Sequence, residues 1–256
     1  MLAVTRKSKI RDLLTERKSV TVSELSDYFK VTEETIRRDL KSLEDLGFLT
    51  RTYGGAFIQD GVENNVNVAI REVAFTDSKT VIAKASRHLI NNGDSIFLDS
   101  STTALFIARS IKEMRLTVVT NSLLIVDELA PYDNIHLICI GGSLQRDDKA
   151  FHGSSVFDLI DKLYLDKTFM SCRSLSIENG ITDSSESIGA IRRKLLSRSN
   201  KVYVVADYSK FNKTSFLHIC HFNDIDGIIS DFEYTQEWRD FLNRSNVEII
   251  NCPSKQ

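Results

Sequence analysis

The chain is poor in cysteine, lacks a long hydrophobic run and carries no strong excess of charge of either sign. Its 256 residues include four cysteines, which stand far apart and form no Cys-x-x-Cys pair: Cys139, Cys172, Cys220 and Cys252. This spacing argues against a metal or redox centre, and we expect buried free thiols in a reducing cytosol. No segment approaches the roughly 18 apolar residues of a membrane span, and the first residues contain no apolar signal-peptide core. We therefore expect neither a membrane span nor a secretory signal.

The small net charge is unevenly distributed along the chain. Residues 1–56 hold 11 Lys and Arg against 9 Asp and Glu, a net of +2, whereas residues 57–256 hold 22 against 26, a net of −4. A mildly basic head on an acidic body is compatible with nucleic-acid binding through a few residues. Charge alone does not decide the point.

The segment at residues 31–47 has the pattern of an amphipathic helix with a basic outer face. Apolar residues recur at spacings of four, three and three, which draws one stripe along the helix: Ile36, Leu40, Leu43 and Leu46. The residues off this stripe are Thr35, Arg37, Arg38 and Lys41. Arginine makes bidentate bonds to guanine and other basic groups contact phosphates, so this face suits the DNA major groove.

The same segment has a simpler interpretation. Glu33 and Glu34 lie four residues before Arg37 and Arg38, so the face could be a solvated surface held by ion pairs within the helix. Thr32 is the expected cap at its start, and Gly47 the expected stop at its end. The flanking sequence favours the DNA-binding interpretation of this helix over the solvated surface.

Segments on both sides complete a winged helix-turn-helix. Residues 6–17 predict a first helix, and Ser23 is expected to cap a second, short one. The expected inward-facing residues of the second helix are Leu25, Tyr28 and Phe29. Residues 48–57 alternate in polarity around Gly54 and Gly55, as a hairpin or wing requires. Three helices and a wing within about 55 residues form this DNA-binding motif.

This region closely resembles the N-terminal signature of the DeoR family of bacterial transcription regulators. The resemblance is carried by the stretch VSELSDYFKVTEETIRRDLKSLEDLGFLTRTYGGAF. It implies that the helix contacts DNA through the four residues off the stripe, and that the wing contributes Arg51, Tyr53, Gly54 and Gly55. Tyr53 stands where the family more often has His, which alters a detail of the wing contact.

After the wing the pattern changes twice. Residues 58–78 are Asn-rich and polar without a clear period and predict a linker, so that residues 1–57 and 79–256 are the two domains. From Lys79 short apolar strands alternate with helices, which predicts an α/β domain with a largely parallel sheet covered on both faces. The predicted strands cover residues 95–99, 116–120, 135–140, 168–172, 202–206, 227–230 and 247–250.

Polar or small residues follow four of these strands. They form the loops Asp99–Thr103, Thr120–Ser122, Gly141–Gly142 and Asp207–Phe211. Ligands of parallel sheets bind at the carboxyl ends of the strands, and the first loop offers hydroxyls and N–H groups at a helix start, which suits a phosphate. Each loop also has a structural explanation, because Ser and Thr commonly cap helices.

The resemblance to the family continues through this domain. It is carried by GDSIFLDSSTT, TVVTNS, IGGSL, NGITD and ADYSKF. It implies a fold like those of ribose-5-phosphate isomerase and glucosamine-6-phosphate deaminase, used to sense a phosphorylated sugar or related metabolite. By this resemblance the phosphate is bound by Asp99, Ser100, Ser101, Thr102 and Thr103. The rest of the effector site is then lined by Asn121, Gly141, Gly142, Glu186, Asp207 and Lys210.

Two departures from the family pattern bear on ligand choice. Ser101 stands where Gly is usual, so it adds a Cβ beside the expected phosphate. In FMSCRSLS, Arg173 and Ser174 replace commoner family residues, which favours either a changed effector contacted by Arg173 or a structural variant of the loop. His152, in a Gly-flanked loop near a strand end, is a further candidate for ligand contact.

The sequence therefore predicts a cytoplasmic DNA-binding transcription regulator. Of the two modes of regulation, it favours repression of a carbohydrate operon over activation. Its expected partners are double-stranded operator DNA, a phosphorylated sugar or polyol, and further copies of itself in a dimer or tetramer. We expect no cofactor, no metal and no catalytic residues. The alternative is a sugar-phosphate isomerase or deaminase with a DNA-binding head. General acid–base chemistry needs poised carboxylates, and Cys172, Arg173 and Ser174 stand where such enzymes carry acidic residues.

Overall fold

The computed structural model describes residues 2–45, 48–58 and 68–252, apart from the side chains of residues 15, 16, 69, 70 and 73. Its contacts divide the chain into two compact units, Met1–Thr76 and Asp77–Gln256. Leu46, Gly47 and residues 59–67 of the expected linker lie outside the described ranges.

The N-terminal unit contains the winged helix-turn-helix that the sequence predicts. Its helices are α1 (Ala3–Arg17), α2 (Val22–Phe29), α3 (Glu33–Asp45) and α4 (Val68–Val73). Its strands are β1 (Ser19–Thr21), β2 (Thr50–Thr52) and β3 (Gly55–Phe57). The strands pair antiparallel in the order β1-β3-β2, so the wing hairpin is anchored to the strand between the first two helices.

Helix α3 forms because its apolar stripe packs into the core of the unit. Ile36, Leu40 and Leu43 are all buried, together with Ile10 and Leu14 of α1. The Thr32 hydroxyl accepts a hydrogen bond of 3.4 Å from the Thr35 N–H, as an N-cap does.

Two details of helix α2 differ from the expectation. Its cap is Thr21 rather than Ser23, because the Thr21 hydroxyl accepts from the Glu24 N–H at 3.1 Å and the helix begins at Val22. Tyr28 is 59 % exposed rather than inward, and its ring meets the buried Phe29 edge-on. The helix is short enough that Val22, Leu25 and Phe29 complete its buried face.

The described part of the expected linker has regular structure. Helix α4 lies within it, and the next helix begins at Thr76, before the expected domain start. The rings of Phe57 and Phe75 meet edge-on at 6.4 Å, which ties the segment after α4 to the wing strand β3. The sequence did not predict α4, because a helix of fewer than two turns is too short to show a clear apolar period in a polar segment.

The C-terminal unit is an α/β domain built on a parallel sheet. Its helices are α5 (Thr76–His88), α6 (Thr102–Ser110), α7 (Leu123–Leu129), α8 (Ser154–Ile160), α9 (Glu186–Leu196) and α10 (Gln236–Arg244). Its strands are β4 (Ser95–Leu98), β5 (Leu116–Thr120), β6 (Ile135–Cys139), β7 (Ser143–Gln145), β8 (Ala150–His152), β9 (Leu165–Met170), β10 (Ser174–Ser176), β11 (Gly180–Asp183), β12 (Ser199–Val205), β13 (Leu217–Cys220), β14 (Gly227–Ser230) and β15 (Glu248–Asn251).

Seven of these strands form one parallel sheet in the order β15-β14-β12-β9-β4-β5-β6. Alternate residues of β4 point to opposite faces: Leu98 joins the core that includes helices α5, α6 and α7, whereas Phe97 joins the core beneath α8 and α9. A further core around Trp238 packs α10 against β12 and β14. The prediction of a parallel sheet covered on both faces is therefore confirmed.

Several smaller elements were not predicted. They are the hairpin β7-β8, the antiparallel sheet β10-β11-β13 and helix α10. The expectation of buried thiols holds for Cys172 and Cys220, whereas Cys252 is only half-buried. It is wrong for Cys139, which is exposed at the end of β6, a strand at one edge of the sheet. Within the described ranges, no helix is both long and apolar enough to cross a membrane.

Candidate DNA-binding and effector sites

The basic face of α3 is exposed and carries two ion pairs. Arg37 donates to Glu33 at 2.7 Å, and Arg38 donates to Glu34 at 3.3 Å. These are the pairs of the simpler interpretation. Exposed pairs of this kind contribute little to stability, so they leave both guanidinium groups available to a stronger partner such as DNA. Lys41 is also exposed, and Thr35 is half-buried.

The wing presents Tyr53 and Gly54 to solvent at its turn. Tyr53 is 87 % exposed, and its ring centroid lies 5.9 Å from the guanidinium carbon of Arg37. Gly55 is buried instead, because a Cβ there would stand 2.2 Å from the carbonyl oxygen of Val20 on β1. Gly55 is thus a packing residue of the wing rather than an exposed contact.

Arg51 joins the wing to the end of α3. Its backbone N–H and its Nε donate to the two carboxylate oxygens of Glu44, at 2.8 and 2.7 Å. Partial burial opposes the ionisation of Glu44, but the bonds and the charge of Arg51 outweigh it and lower the pKa of this carboxyl. The predicted DNA residue Arg51 therefore also fixes where the wing lies against α3.

A buried ion pair positions α3 on the first helix. The Arg6 Nε donates to Asp39 at 2.5 Å, and both side chains are at least nine-tenths buried. Sequence reasoning missed this pair. Its signal was a carboxylate at position 39, three residues after Ile36 and hence within the apolar stripe of α3.

In the C-terminal unit, loops at the carboxyl edge of the sheet converge on the carboxylate of Asp99. One oxygen accepts from the Ser101 N–H at 3.0 Å, and the other from the Ser171 N–H at 2.9 Å. The second oxygen also accepts from Arg192 of α9, at 2.9 Å from Nε and 2.7 Å from Nη2. Asp99 therefore ties the loops after β4 and β9 to α9.

Arg192 extends this network to a second carboxylate. Its Nη1 donates to Asp183 at the end of β11, and Asp183 also accepts from the N–H groups of Ser184 and Ser185 just before α9. Burial opposes the charge of Arg192, but the two carboxylates outweigh that effect and raise its pKa, so it stays charged. Arg192, Ser171 and Asp183 were absent from the predicted site. No local pattern links Asp99 to Ser171 and Arg192, which lie 72 and 93 positions away in the chain.

The predicted phosphate loop begins a well-capped helix. The Ser101 hydroxyl accepts from the Ala104 N–H at 3.1 Å, so Ser101 is the N-cap of α6. Ser100, Thr102 and Thr103 are buried beside it. The arrangement places first-turn N–H groups of α6 at this edge of the sheet, where the helix dipole favours an anion.

Asn121 and the two glycines lie at the ends of the neighbouring strands. The Asn121 side chain donates to the Phe151 carbonyl at 3.1 Å, and its buried Oδ1 has no hydrogen-bond partner among the described residues. A Cβ on Gly142 would stand 2.3 Å from the His152 carbonyl oxygen, so only glycine fits there. The Gly141 carbonyl accepts from Ser155 at 3.1 Å. The glycines bring the strand end close to β8 and α8.

His152 is half-buried, with both ring nitrogens shielded from solvent. Both of its ring nitrogens lack a hydrogen-bond partner within the described part of the chain. Burial lowers the pKa of His152, against a smaller opposing effect of Asp148, so the neutral ring is favoured.

The loops after β9 and β12 add further polar groups. Asp207 accepts from the Ser209 N–H at 3.0 Å and caps a 3-10 turn that ends at Lys210. Cys172 is buried near the charges of Arg192 and Lys210, and burial raises the pKa of its thiol to about 12. The half-buried Arg173 follows, and its backbone N–H donates to the Thr182 carbonyl at 3.1 Å.

Glu186 lies apart from these bonded groups, in the lining of a cavity. This cavity has a volume of about 600 Å³ and lies between the starts of α8 and α9. Its lining residues are Gly153, Ser154, Phe157, Glu186, Ser187, Ala190 and Ile191. The described residues bring together no group of three His, Cys, Asp or Glu side chains able to hold a metal ion.

Comparisons with known proteins match two successive parts of the chain to two domains. A DeoR-like helix-turn-helix domain matches residues 6–61, and a DeoR C terminal sensor domain matches residues 74–232. The HTH-type transcriptional regulator YulB of Bacillus subtilis is 37 % identical over 90 % of both chains. The HTH-type transcriptional repressor GlcR of the same organism is 31 % identical over 94 % of this chain and 93 % of its own.

A comparison with solved structures aligns part of this chain with an enzyme. Ribose 5 phosphate isomerase A from Neisseria gonorrhoeae superposes with a TM-score of 0.39 and 15 % identity, over 54 % of each chain. The two domain matches and the full-length relatives together establish the family. The chain belongs to the DeoR family of transcription regulators, with a DNA-binding helix-turn-helix domain followed by a sensor domain.

Proposed function

We propose that this regulator represses a carbohydrate operon and that a phosphorylated sugar or polyol, bound at the carboxyl edge of the sensor sheet, controls its affinity for operator DNA. The observation that carries the effector proposal is the Ser101-capped start of α6 at that edge. The name of the repressor GlcR, a relative over almost the whole chain, supports repression.

The phosphate is the part of the effector that the edge suits best. First-turn N–H groups of α6 and the hydroxyls of Thr102 and Thr103 offer donors, and the helix dipole favours a negative ligand. Lys210, at the end of the 3-10 turn, supplies positive charge. Asp99 has a supporting role in this proposal, because both of its oxygens already accept hydrogen bonds from the protein.

The hydroxylated end of the effector would then extend toward polar groups of the same edge. Asn121, whose Oδ1 has no partner in the described ranges, can accept a hydrogen bond from a sugar hydroxyl. Glu186 is exposed in the neighbouring cavity and offers a second acceptor. Effector binding would shift operator affinity through a coupling free energy of roughly 1–3 kcal/mol, which must be reciprocal.

We propose binding without turnover, in contrast to the isomerase or deaminase alternative. The carboxylates of Asp99, Asp183 and Asp207 each accept hydrogen bonds from the protein, so they are held as structural acceptors. General acid–base catalysis needs a carboxylate within reach of the substrate proton, and among the proposed effector residues this leaves Glu186 alone. The curated relatives are named as regulators, which supports the same conclusion.

We further propose that the protein acts in the cytoplasm as a dimer or tetramer. One winged helix reads only a short half-site, and paired half-sites multiply a modest affinity. Sedimentation of the full chain tests this proposal: a monomer at operator-binding concentrations would contradict it.

The effector proposal is tested by thermal-shift screening of the purified chain against sugar and polyol phosphates. At least one should raise the melting temperature, and prolonged incubation should leave that compound chemically unchanged. Conversion of the compound would support the enzyme, and an entirely inactive panel would contradict the phosphate site.

Two substitutions locate the phosphate once a compound binds. Ser101→Asp should nearly abolish binding through like-charge repulsion, yet keep the fold, because Asp also caps helices. Thr102→Val should weaken binding by about 0.5–3 kcal/mol through loss of a hydroxyl. The matched control is Thr235→Asp, which changes the cap of α10 in the same way. Helix α10 follows β14, and two strands of the sheet, β12 and β9, lie between β14 and β4. Undiminished calorimetric affinity in Ser101→Asp would place the phosphate elsewhere.

A further inference from the structure

The two arginines of α3 lie in different surroundings, although each follows a glutamate by four residues. Arg37 bonds to Glu33 at 2.7 Å, and its side chain is 39 % exposed. Arg38 bonds to Glu34 at 3.3 Å, and its side chain is 79 % exposed. Arg37 is therefore the more constrained of the two.

The wing adds a second constraint to Arg37. The guanidinium carbon lies 5.9 Å from the centroid of the Tyr53 ring at the hairpin turn. A guanidinium within about 6 Å of an aromatic ring is attracted to it, by roughly a two- to fivefold change in equilibrium constant at an exposed site. Glu33 from the helix and Tyr53 from the wing thus hold one side chain from two elements.

We infer that Tyr53 is a positioning residue for Arg37, that Arg37 reads a guanine in the operator, and that Arg38 contacts a DNA phosphate. The inference rests on the proposed operator binding and deepens it. A preset guanidinium loses less rotamer freedom when it binds, and its planar fork matches guanine O6 and N7. A flexible, highly exposed arginine suits a phosphate, whose position does not depend on base sequence.

The wing itself is fixed firmly enough to act in this way. Arg51 lies two residues before Tyr53. Its backbone N–H and its side chain both donate hydrogen bonds to the Glu44 carboxylate. Gly55, two residues after Tyr53, packs against the backbone of β1. The backbone that carries Tyr53 is therefore anchored on both sides of the turn, and wing and helix form one reading surface.

The test begins with selection of bound duplexes from a randomised DNA library by the full-length protein. The most enriched duplex and a scrambled version of it are then titrated at fixed salt. Arg37→Ala should weaken the enriched duplex by about 5- to 150-fold and relax the preference at one G·C pair. Arg38→Ala should weaken both duplexes by similar factors.

Substitutions of Tyr53 distinguish positioning from direct contact. Tyr53→Ala should weaken the enriched duplex by about two- to fivefold and relax the same G·C pair that Arg37→Ala relaxes. It should add no further loss in the Arg37→Ala background, whereas its effect should multiply with that of Arg38→Ala. Tyr53→Phe keeps the aromatic ring, so this variant should have the affinity and base preference of the wild type.

Two outcomes would overturn the inference while leaving operator binding intact. One is a Tyr53→Phe variant as weak as Tyr53→Ala, which would mean that the hydroxyl contacts DNA directly. The other is multiplicative loss in the Arg37 and Tyr53 double variant. A wild-type protein that enriches no duplex would instead overturn the proposed function, and this inference with it.

The chain offers a matched control in its sensor unit. Tyr164 is 81 % exposed, and the guanidinium of Arg198 lies 5.5 Å from its ring centroid. Tyr164→Ala removes the same kind of contact outside the DNA-binding domain and should leave both titrations unchanged.

Discussion

At the scale of single residues, buried charge organises the sensor edge. Arg192 sits between the carboxylates of Asp99 and Asp183, with all three side chains at least nine-tenths buried. Such a group is stable only while its partners remain, because removing one leaves an uncompensated charge in a dry interior. The same carboxylates position the loop that begins α6 and the turn that begins α9.

Replacing Arg192 should therefore be costly. Arg192→Met should lower the free energy of unfolding by about 3–5 kcal/mol, because two buried carboxylates lose their cation. Urea denaturation of the full chain measures this, followed through the sensor unit. The matched control is Arg193→Met on the exposed neighbour, which bonds only to the His218 carbonyl among the described residues and should lose about 1 kcal/mol or less. Equal small losses in both variants would contradict the role of the network.

His152 predicts a pH dependence of stability. Burial holds its folded-state pKa below the ordinary value of 6.5, so below pH 6.5 the unfolded chain binds a proton that the folded chain does not. Stability should thus fall as the pH drops below this value, and level off below the folded pKa. His152→Gln should flatten this part of the curve, measured from urea midpoints between pH 5 and 8. A slope identical to that of the wild type would contradict the prediction.

At the scale of elements, the wing and α3 behave as one piece. Glu44 near the end of α3 accepts two hydrogen bonds from Arg51 on β2, while the Gly54 turn and β1 hold the other side of the hairpin. We call the two hydrogen bonds between Arg51 and Glu44 the Glu44 bracket. Both side chains are half exposed, so the contribution of this bracket to stability is modest. Its main consequence is the fixed position of the wing.

Loss of this bracket should be visible in the wing more than in global stability. Glu44→Ala should lower the free energy of unfolding by about 0.5–1.5 kcal/mol and speed amide hydrogen exchange in β2. Glu34→Ala is the matched control, because it breaks an exposed pair within the helix and should cost about 0.5 kcal/mol or less. Unchanged exchange in β2 of the Glu44 variant would show that the wing is held by other contacts.

At the scale of the whole molecule, the chain is two units, each with its own core. The N-terminal core gathers residues of α1, α2, α3 and the wing strands, and the sensor cores lie on the two faces of the parallel sheet. Independent cores predict independent folding, because the described residues of each of these cores belong to a single unit.

A fragment of residues 74–256 should therefore fold alone. It should keep the thermal shift produced by the effector and the oligomeric state of the full chain, and it should lose operator binding. Circular dichroism, sedimentation and gel-shift titration measure the three properties. The prediction would be contradicted if the isolated fragment stayed unfolded, or if it were monomeric while the full chain is oligomeric. Either result would mean that residues before 74 belong to the sensor unit or to its assembly surface.

The sequence by itself determined the elements whose signal is local. The stripe of Ile36, Leu40 and Leu43 specifies α3, because a period near 3.6 needs no knowledge of the partner surface. The Gly-containing turn specifies the wing, and short apolar runs between helices specify the parallel sheet. The Ser101 loop was found in the same way, because strand and helix adjoin it in the chain.

Only the tertiary structure decided what each polar residue of the sites does. Asp99 was expected at the phosphate, yet its oxygens are occupied by groups 72 and 93 positions away, Ser171 and Arg192. The pair of Arg6 and Asp39 spans 33 positions, so the carboxylate within the stripe of α3 does not by itself identify its partner. Partners at such separations are chosen by the packing of whole elements, and a buried charge takes whichever opposite charge that packing brings within bonding distance.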